Sequence, residues 1–407
     1  MYYRPIFFWK FLLKFDLDWA LFLVNTLLVV IGYWMAHLDP SFFVFLKWSR
    51  IVLLTLSIVR LRLIGLPGSS PSYLLPLIVW LLLYVPSTLL SQDPTQGFTG
   101  LVSLAYFLYY LHLFFRHMAS RHTDRQNCYI LLEIFRFCYF LPVALYFFQR
   151  PGLLNHNIYG QTDLGLASNN FGWAASFYFL LTIDRLQNFP YNRLYSFLDI
   201  LSLPLAAYLV LISGSRSAVL AVTVCLTVWL INSRSRSIPM HLLLLTGGLL
   251  VYLLLANGQE LALNRKGGVG MMDRASKEAR FPLWTSLTKK MVNKPQMLLF
   301  GVGYGHIHAW MPRPAKGIRP EPLAHPHNTF LMVLWEGGAL CFLWFISLFV
   351  ILPLWNYLRI DAKCLCFPLH PFIISCFDHQ MGAGQFLAFP LFGTIFYYLY
   401  LTKRKKI

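Results

Sequence analysis

Apolar runs long enough to cross a bilayer recur along almost the whole of this 407-residue chain. They lie at about 17–38, 42–59, 73–91, 98–116, 128–148, 168–184, 195–212, 217–232, 240–257, 329–357, 364–377 and 385–402. Twelve such runs predict an all-α polytopic membrane protein with about twelve transmembrane helices. Two runs depart from the pattern: 42–59 holds Lys47 and Arg50, and 364–377 is short and carries Pro368 and Pro371. The aromatic and basic stretch MYYRPIFFWKFLLKF leads into the first run, and no small-residue cleavage site follows it, so that run reads as a retained helix. Only one long stretch, 258–328, interrupts the series. The pattern therefore divides the chain into residues 1–257 with helices one to nine, a loop domain with amphipathic helices at 258–328, and residues 329–407 with helices ten to twelve and a basic tail. No internal repeat or low-complexity tract is evident.

Charge orients these helices. With the N-terminus cytoplasmic, the inner loops hold Arg60 and Arg62; Arg116, Arg121 and Arg125; Arg185 and Arg193; Arg234 and Arg236; Arg359 and Lys363; and the tail Lys403 to Lys406. The short outer loops SQDPTQG and FDHQMGAG hold no Lys or Arg, which predicts that both termini are cytoplasmic. The 258–328 stretch is an exception, with eleven Lys and Arg against four acidic residues, but long translocated segments escape the positive-inside rule.

Composition narrows the class. The chain is 57% hydrophobic and 12% charged, which excludes a soluble enzyme, and its net charge of +18 follows membrane sidedness better than nucleic-acid binding. Seven cysteines fall in or beside apolar runs and read as small buried hydrophobes, not as a disulfide framework or a zinc pair. The basic outer loop points to an anionic partner, a phosphorylated lipid or glycan, or else to an ordinary solvated surface.

Few residues remain for chemistry. In LVLISGSRSAVLAV, Arg216 sits at a Gly/Ser break between two apolar runs, on the outer side, where a snorkelling arginine or an anion site is expected. Helix ends meeting at Ser213, Gly214 and Ser215 would offer backbone N–H groups to a phosphate. In the segment 273–305, Arg280, Trp284, Leu287 and Met291 share a helical stripe that Lys289 and Lys290 do not. Pro282 suits a first turn and so places that helix start close to Arg280; Lys294-Pro295 ends the helix, and GVGYG permits a tight return to the membrane. An arginine on the apolar face is either paired with a carboxylate such as Asp273 or Glu278, or held for a ligand. HPHNTFLMVLWEGG then places His325, His327 and Asn328 at the outer interface and Glu336 inside the tenth helix. Two further readings stay open: His306 and His308 converging with His325 and His327 on zinc, and Asp378 and His379 acting in the last outer loop.

Arg216 in SGSRSAVLA, Arg280 ahead of Trp284, Lys290 and Pro295, then GVGYG and His327-Asn328 ahead of Gly338, together resemble the bacterial O-antigen ligase and polymerase superfamily. TDLGLASNNFGWAA, with Asn169 and Asn170, is similar to that family's polar entry into a middle helix, whereas Cys341 departs from the residue its ligases prefer. The resemblance implies a GT-C type fold in the bacterial inner membrane, with the active site facing the periplasm. It implies that Arg216 and Arg280 bind the diphosphate of an undecaprenyl diphosphate-linked glycan and that His327 assists the acceptor hydroxyl, with no metal or other cofactor. Asn328, His325, Glu336, Asn170, Tyr304 and Asp378 would support them. The expected reaction is transfer of polysaccharide to the lipid A-core of lipopolysaccharide. An O-antigen polymerase, a protein O-oligosaccharyltransferase and a membrane transporter are the alternatives.

Overall fold

A computed structural model describes residues 17–35, 40–64, 74–121, 130, 133–134, 136–138, 140, 168–188, 193–212, 215–232, 280–306, 328–355 and 366–377. Every regular element among them is helical: α1 Leu17–Met35, α2 Pro40–Leu63, α3 Leu74–Leu83, α4 Val85–Leu89, α5 Pro94–Arg121, α6 Ser168–Asn188, α7 Arg193–Ile212, α8 Arg216–Asn232, α9 Arg280–Val292, α10 Pro295–Phe300, α11 Thr329–Ile346 and α12 Cys366–Ser375. A π-helical turn, Ser347–Ile351, continues α11. The predicted runs at 240–257 and 385–402 lie outside the described residues, as does most of 128–148.

Local chemistry explains where these helices start. Pro40, Pro94 and Pro295 are the first residues of α2, α5 and α10, where a missing N–H costs nothing and a fixed φ helps. Short polar side chains cap three helices, α5 again among them. Asp93 Oδ1 accepts from Gln96 N at 3.0 Å, Ser215 Oγ from Ala218 N at 3.4 Å, and Asn328 Oδ1 from Leu331 N at 2.9 Å. The run at 73–91 is not one continuous helix: α3 and α4 meet at Tyr84, because Pro86 in the first turn of α4 cannot continue the ladder. The short α10 after Pro295 was not expected either. Lys294, at φ −130° and ψ 87°, is driven out of helical conformation by the proline that then starts the new turn.

Among the described residues, Pro94–Met118 (25 residues) and Thr329–Trp355 (27 residues) are long and apolar enough to cross a membrane. Burial supports a lipid surrounding more broadly. On α2, Phe45, Trp48, Val52, Leu56, Val59 and Leu63 recur at helical spacing and all are exposed, while Ser57 is 1% exposed and faces α1. A polar interior under an apolar exterior inverts the arrangement of a water-soluble helix pair and suits hydrocarbon as solvent.

The chain divides into two compact units: Met1–Ile64, Met118–Met271 and Asp361–His370 form the first, and Gly65–His117, Met272–Ile360 and Pro371–Ile407 the second. In the first, Asn25 donates to Ser57 Oγ at 3.4 Å and Arg60 pairs with Asp18 at 2.9 Å, joining α1 to α2. α6 packs on both α7 and α8. Tyr178 donates to Ser202 Oγ at 3.1 Å and Trp173 Nε1 to Ser217 Oγ at 2.9 Å. A quartet of charges adds to this, buried except at the half-buried Glu133: Arg136 pairs with Glu133 and Asp199, and Arg185 pairs with the same two carboxylates. Two cations meeting two anions leave no net charge to desolvate, the condition under which such groups survive burial. His370 lies 2.7 Å from Ser176 Oγ; because that hydroxyl donates to Trp173 O at 2.9 Å, the imidazole Nε2 is the donor.

In the second unit, α11 packs against α3 and α10. Trp344 Nε1 donates to Pro76 O at 2.9 Å, and Trp80 lies 4.9 Å from Phe349, centroid to centroid. Asn328 Nδ2 donates to Cys376 O at 2.9 Å, which ties the start of α11 to the chain just after α12.

Candidate functional site

Two adjacent glycines in an apolar helix allow it to break. α11 does so at Gly338, whose φ of 78° and ψ of 179° are not helical. The break removes the helical donors from the carbonyls one turn before it. The glycine-rich loop after α10 replaces them: Val302 N donates to Trp335 O at 2.8 Å and Gly303 N to Glu336 O at 3.0 Å. The two backbones approach so closely that a Cβ on Gly301 would lie 2.4 Å from Glu336 O, and one on Gly338 2.1 Å from Leu299 O. GVGYG therefore works here as a backbone clip on a broken helix.

The far end of the clip is pinned too. Tyr304 N donates to Thr88 Oγ1 at 3.3 Å, and His306 Nδ1 donates to Tyr304 O at 2.8 Å while its Nε2 accepts from Asp93 N at 3.2 Å. Both ring nitrogens of His306 are thus engaged in holding backbone, so His306 is not offered as the zinc ligand that its spacing from His308 suggested. The Tyr304 ring meets Tyr84 edge-on at 5.4 Å and fits over Gly100, where a Cβ would come within 2.7 Å of it. Glu336 is 3% exposed and lies within electrostatic reach of Tyr84, Tyr304 and Cys341 at the break. Burial first, and the Glu336 carboxyl second, push the Tyr304 phenol well above its usual range, so it stays a hydroxyl.

The stripe predicted for residues 280–291 is observed from Trp284 onward. Leu287 and Met291 are buried against Trp335, with Trp284, Leu298, Leu331 and Leu334 packed around them. This fastens α9 to the part of α11 before its break, while Lys289 and Lys290 lie exposed on the other face. Arg280 is the first described residue of α9, with Pro282 two residues on. Arg216 is the first residue of α8 in the other unit, where Ser215 caps that helix and bonds Ser217 at 3.1 Å, and Ser217 in turn receives Trp173 Nε1. An arginine at a helix start combines a permanent cation with the unpaired N–H groups and positive dipole end of the helix, a combination suited to phosphate oxygens.

Other expected residues are placed as follows. Asn328 caps α11, and Asn170 lies in the first turn of α6. Glu336 lies within α11 as expected, two residues before the break at Gly338, and Tyr304 closes the glycine clip. His325, His327 and Asp378 lie outside the described residues, as do His308 and His379. Thr88, Asp93 and His306 were not legible as partners of the glycine loop; SQDPTQG signalled a turn, but nothing in it signalled which loop it would hold.

No curated protein matches the chain. The family model of the O-antigen ligases (Wzy_C) matches residues 201–346, a little over a third of the chain. That stretch contains Arg216, Arg280, the glycine clip, His327 and the broken helix, and it supports membership of the family that these motifs resemble, the O-antigen ligases.

Proposed function

We propose that this protein is an O-antigen ligase of the bacterial inner membrane, with a GT-C type fold, about twelve helices, both termini in the cytoplasm and a periplasmic active site built partly from the 258–328 loop. The observation that carries this reading is the family match over residues 201–346, within which Arg216 opens a helix, Arg280 lies in another and His327 immediately precedes the cap of a third. The donor is a polysaccharide on undecaprenyl diphosphate and the acceptor is the lipid A-core.

The chemistry needs two things. As the bond from the anomeric carbon to the diphosphate oxygen breaks, negative charge grows on the leaving group. Arg216, at the positive end of α8, and Arg280 neutralise it. The acceptor hydroxyl oxygen forms the new glycosidic bond from the opposite face, which inverts the anomeric centre, and His327 takes its proton. Metal is not required, because the cationic role is already filled by guanidinium groups.

Deleting the gene in its host and resolving lipopolysaccharide on a gel tests the assignment. Cores bare of O-antigen, with long polymer retained on the lipid carrier, are the expected result. Cores capped by a single repeat would make the protein a polymerase instead, and an unchanged ladder would end the proposal.

A further inference from the structure

Beside the glycine clip lies a cleft of about 570 Å³ at the start of α5, lined by Asp93, Thr95, Gln96, Thr99, Tyr304 and Gly305. We propose that this cleft binds sugar rings of a glycan substrate. The inference rests on the transferase reading above but assigns a site that the arginines and His327 do not.

The lining selects a neutral, hydroxyl-rich ligand. Among the described residues, Asp93 is the only charged side chain in it, which disfavours a phosphate or diphosphate. Asp93 uses one oxygen to cap α5 and leaves the other to accept from sugar hydroxyls. Thr95 and Gln96 are exposed beside it, and Thr99, whose hydroxyl donates to Thr95 O at 2.8 Å, still has acceptor capacity. Tyr304, Gly100 and the threonine methyls add apolar surface, which suits the C–H faces of a pyranose.

The walls are also preorganised. Asp93 N is bonded to His306 and Tyr304 N to Thr88, so the two loops bounding the cleft hold each other. At Gly305, φ is 74° and an added Cβ would meet nothing within 4 Å, so a glycine keeps the wall low where the cleft opens. The same loop is clipped onto α11 by Val302 and Gly303, which fixes the wall of the cleft to that helix.

Transfer by the reconstituted full-length protein, with the undecaprenyl diphosphate-linked glycan and the lipid A-core varied in turn, tests this. Thr99→Trp fills the cleft, and Asp93→Asn keeps the helix cap while removing the charge. Each is expected to raise one of the two KM values about tenfold with kcat changed less than about twofold. The substrate whose KM moves is the one held. Both KM values unchanged in Thr99→Trp and in Asp93→Asn would overturn the inference and leave the transferase reading standing. If the wild type transfers nothing, binding of delipidated core oligosaccharide and of the released repeat unit decides. Binding lost in Thr99→Trp retains the cleft and ends the transferase reading; no binding by the wild type overturns the cleft too.

Discussion

Replacing Gly338 with alanine tests the clip at its tightest point. The φ of 78° with ψ near 180° lies in a region open essentially to glycine alone, which costs an alanine about 1–3 kcal/mol. The added Cβ would fall 2.1 Å from Leu299 O and 2.4 Å from Leu299 C, whereas real contacts do not go below 3.0 Å, so that segment must retreat by about 0.9 Å. A retreat of that size stretches the bonds Val302 N to Trp335 O and Gly303 N to Glu336 O, from 2.8 and 3.0 Å, beyond hydrogen-bonding range. Losing both adds about 1 kcal/mol each, for a total of roughly 3–5 kcal/mol. Thermal unfolding in detergent should show a transition lowered by several degrees, and hydrogen exchange at the Val302 and Gly303 amides should accelerate by two orders of magnitude or more (roughly 1.4 kcal/mol per tenfold). Gly305→Asn is the control. Its φ of 74° is one that asparagine tolerates, and the space there is open. A Gly338→Ala protein with wild-type melting and wild-type exchange at those two amides would refute the clip.

Three further outcomes follow from the packing. Asp199→Asn leaves Arg136 and Arg185 with one carboxylate between them in a buried site, and should lower stability by about 3–5 kcal/mol in a denaturation series. Ser176→Ala strands the His370 donor and should cost about 1–3 kcal/mol, with Ser176→Thr, which keeps an oxygen there, costing less. Trp173→Phe removes the bond to Ser217 beside the first residue of α8; it should cost about 1 kcal/mol in melting and raise the KM for the lipid-linked donor more than that for the acceptor, if Arg216 holds the diphosphate.

Much of this was legible in the sequence, for identifiable reasons. Apolar runs and loop charges act residue by residue, so the helices of the described residues and their all-α class follow directly from them. The stripe through Leu287 and Met291 was legible because helix periodicity fixes which side chains share a face. What escaped involved pairing across long separations. Nothing local says that the carbonyls of Trp335 and Glu336 need donors until Gly338 breaks the helix, nor that Val302 and Gly303 supply them. The capture of His306 by Asp93 joins residues 213 positions apart, and the same imidazole read alone looked like a metal ligand. Glu336 falls inside the helix as expected; its place just before a break, beside Tyr84 and Tyr304, depends on a glycine two residues on.

The central claim is metal-independent transfer using Arg216, Arg280 and His327. The most direct measurement is single-turnover transfer from an undecaprenyl diphosphate-linked glycan to lipid A-core by the purified, reconstituted protein, in the presence of EDTA. Product is expected from the wild type despite the chelator, with a loss of at least about a hundredfold in His327→Ala. Full activity in His327→Ala, or a wild-type reaction abolished by EDTA and restored by zinc, would contradict it.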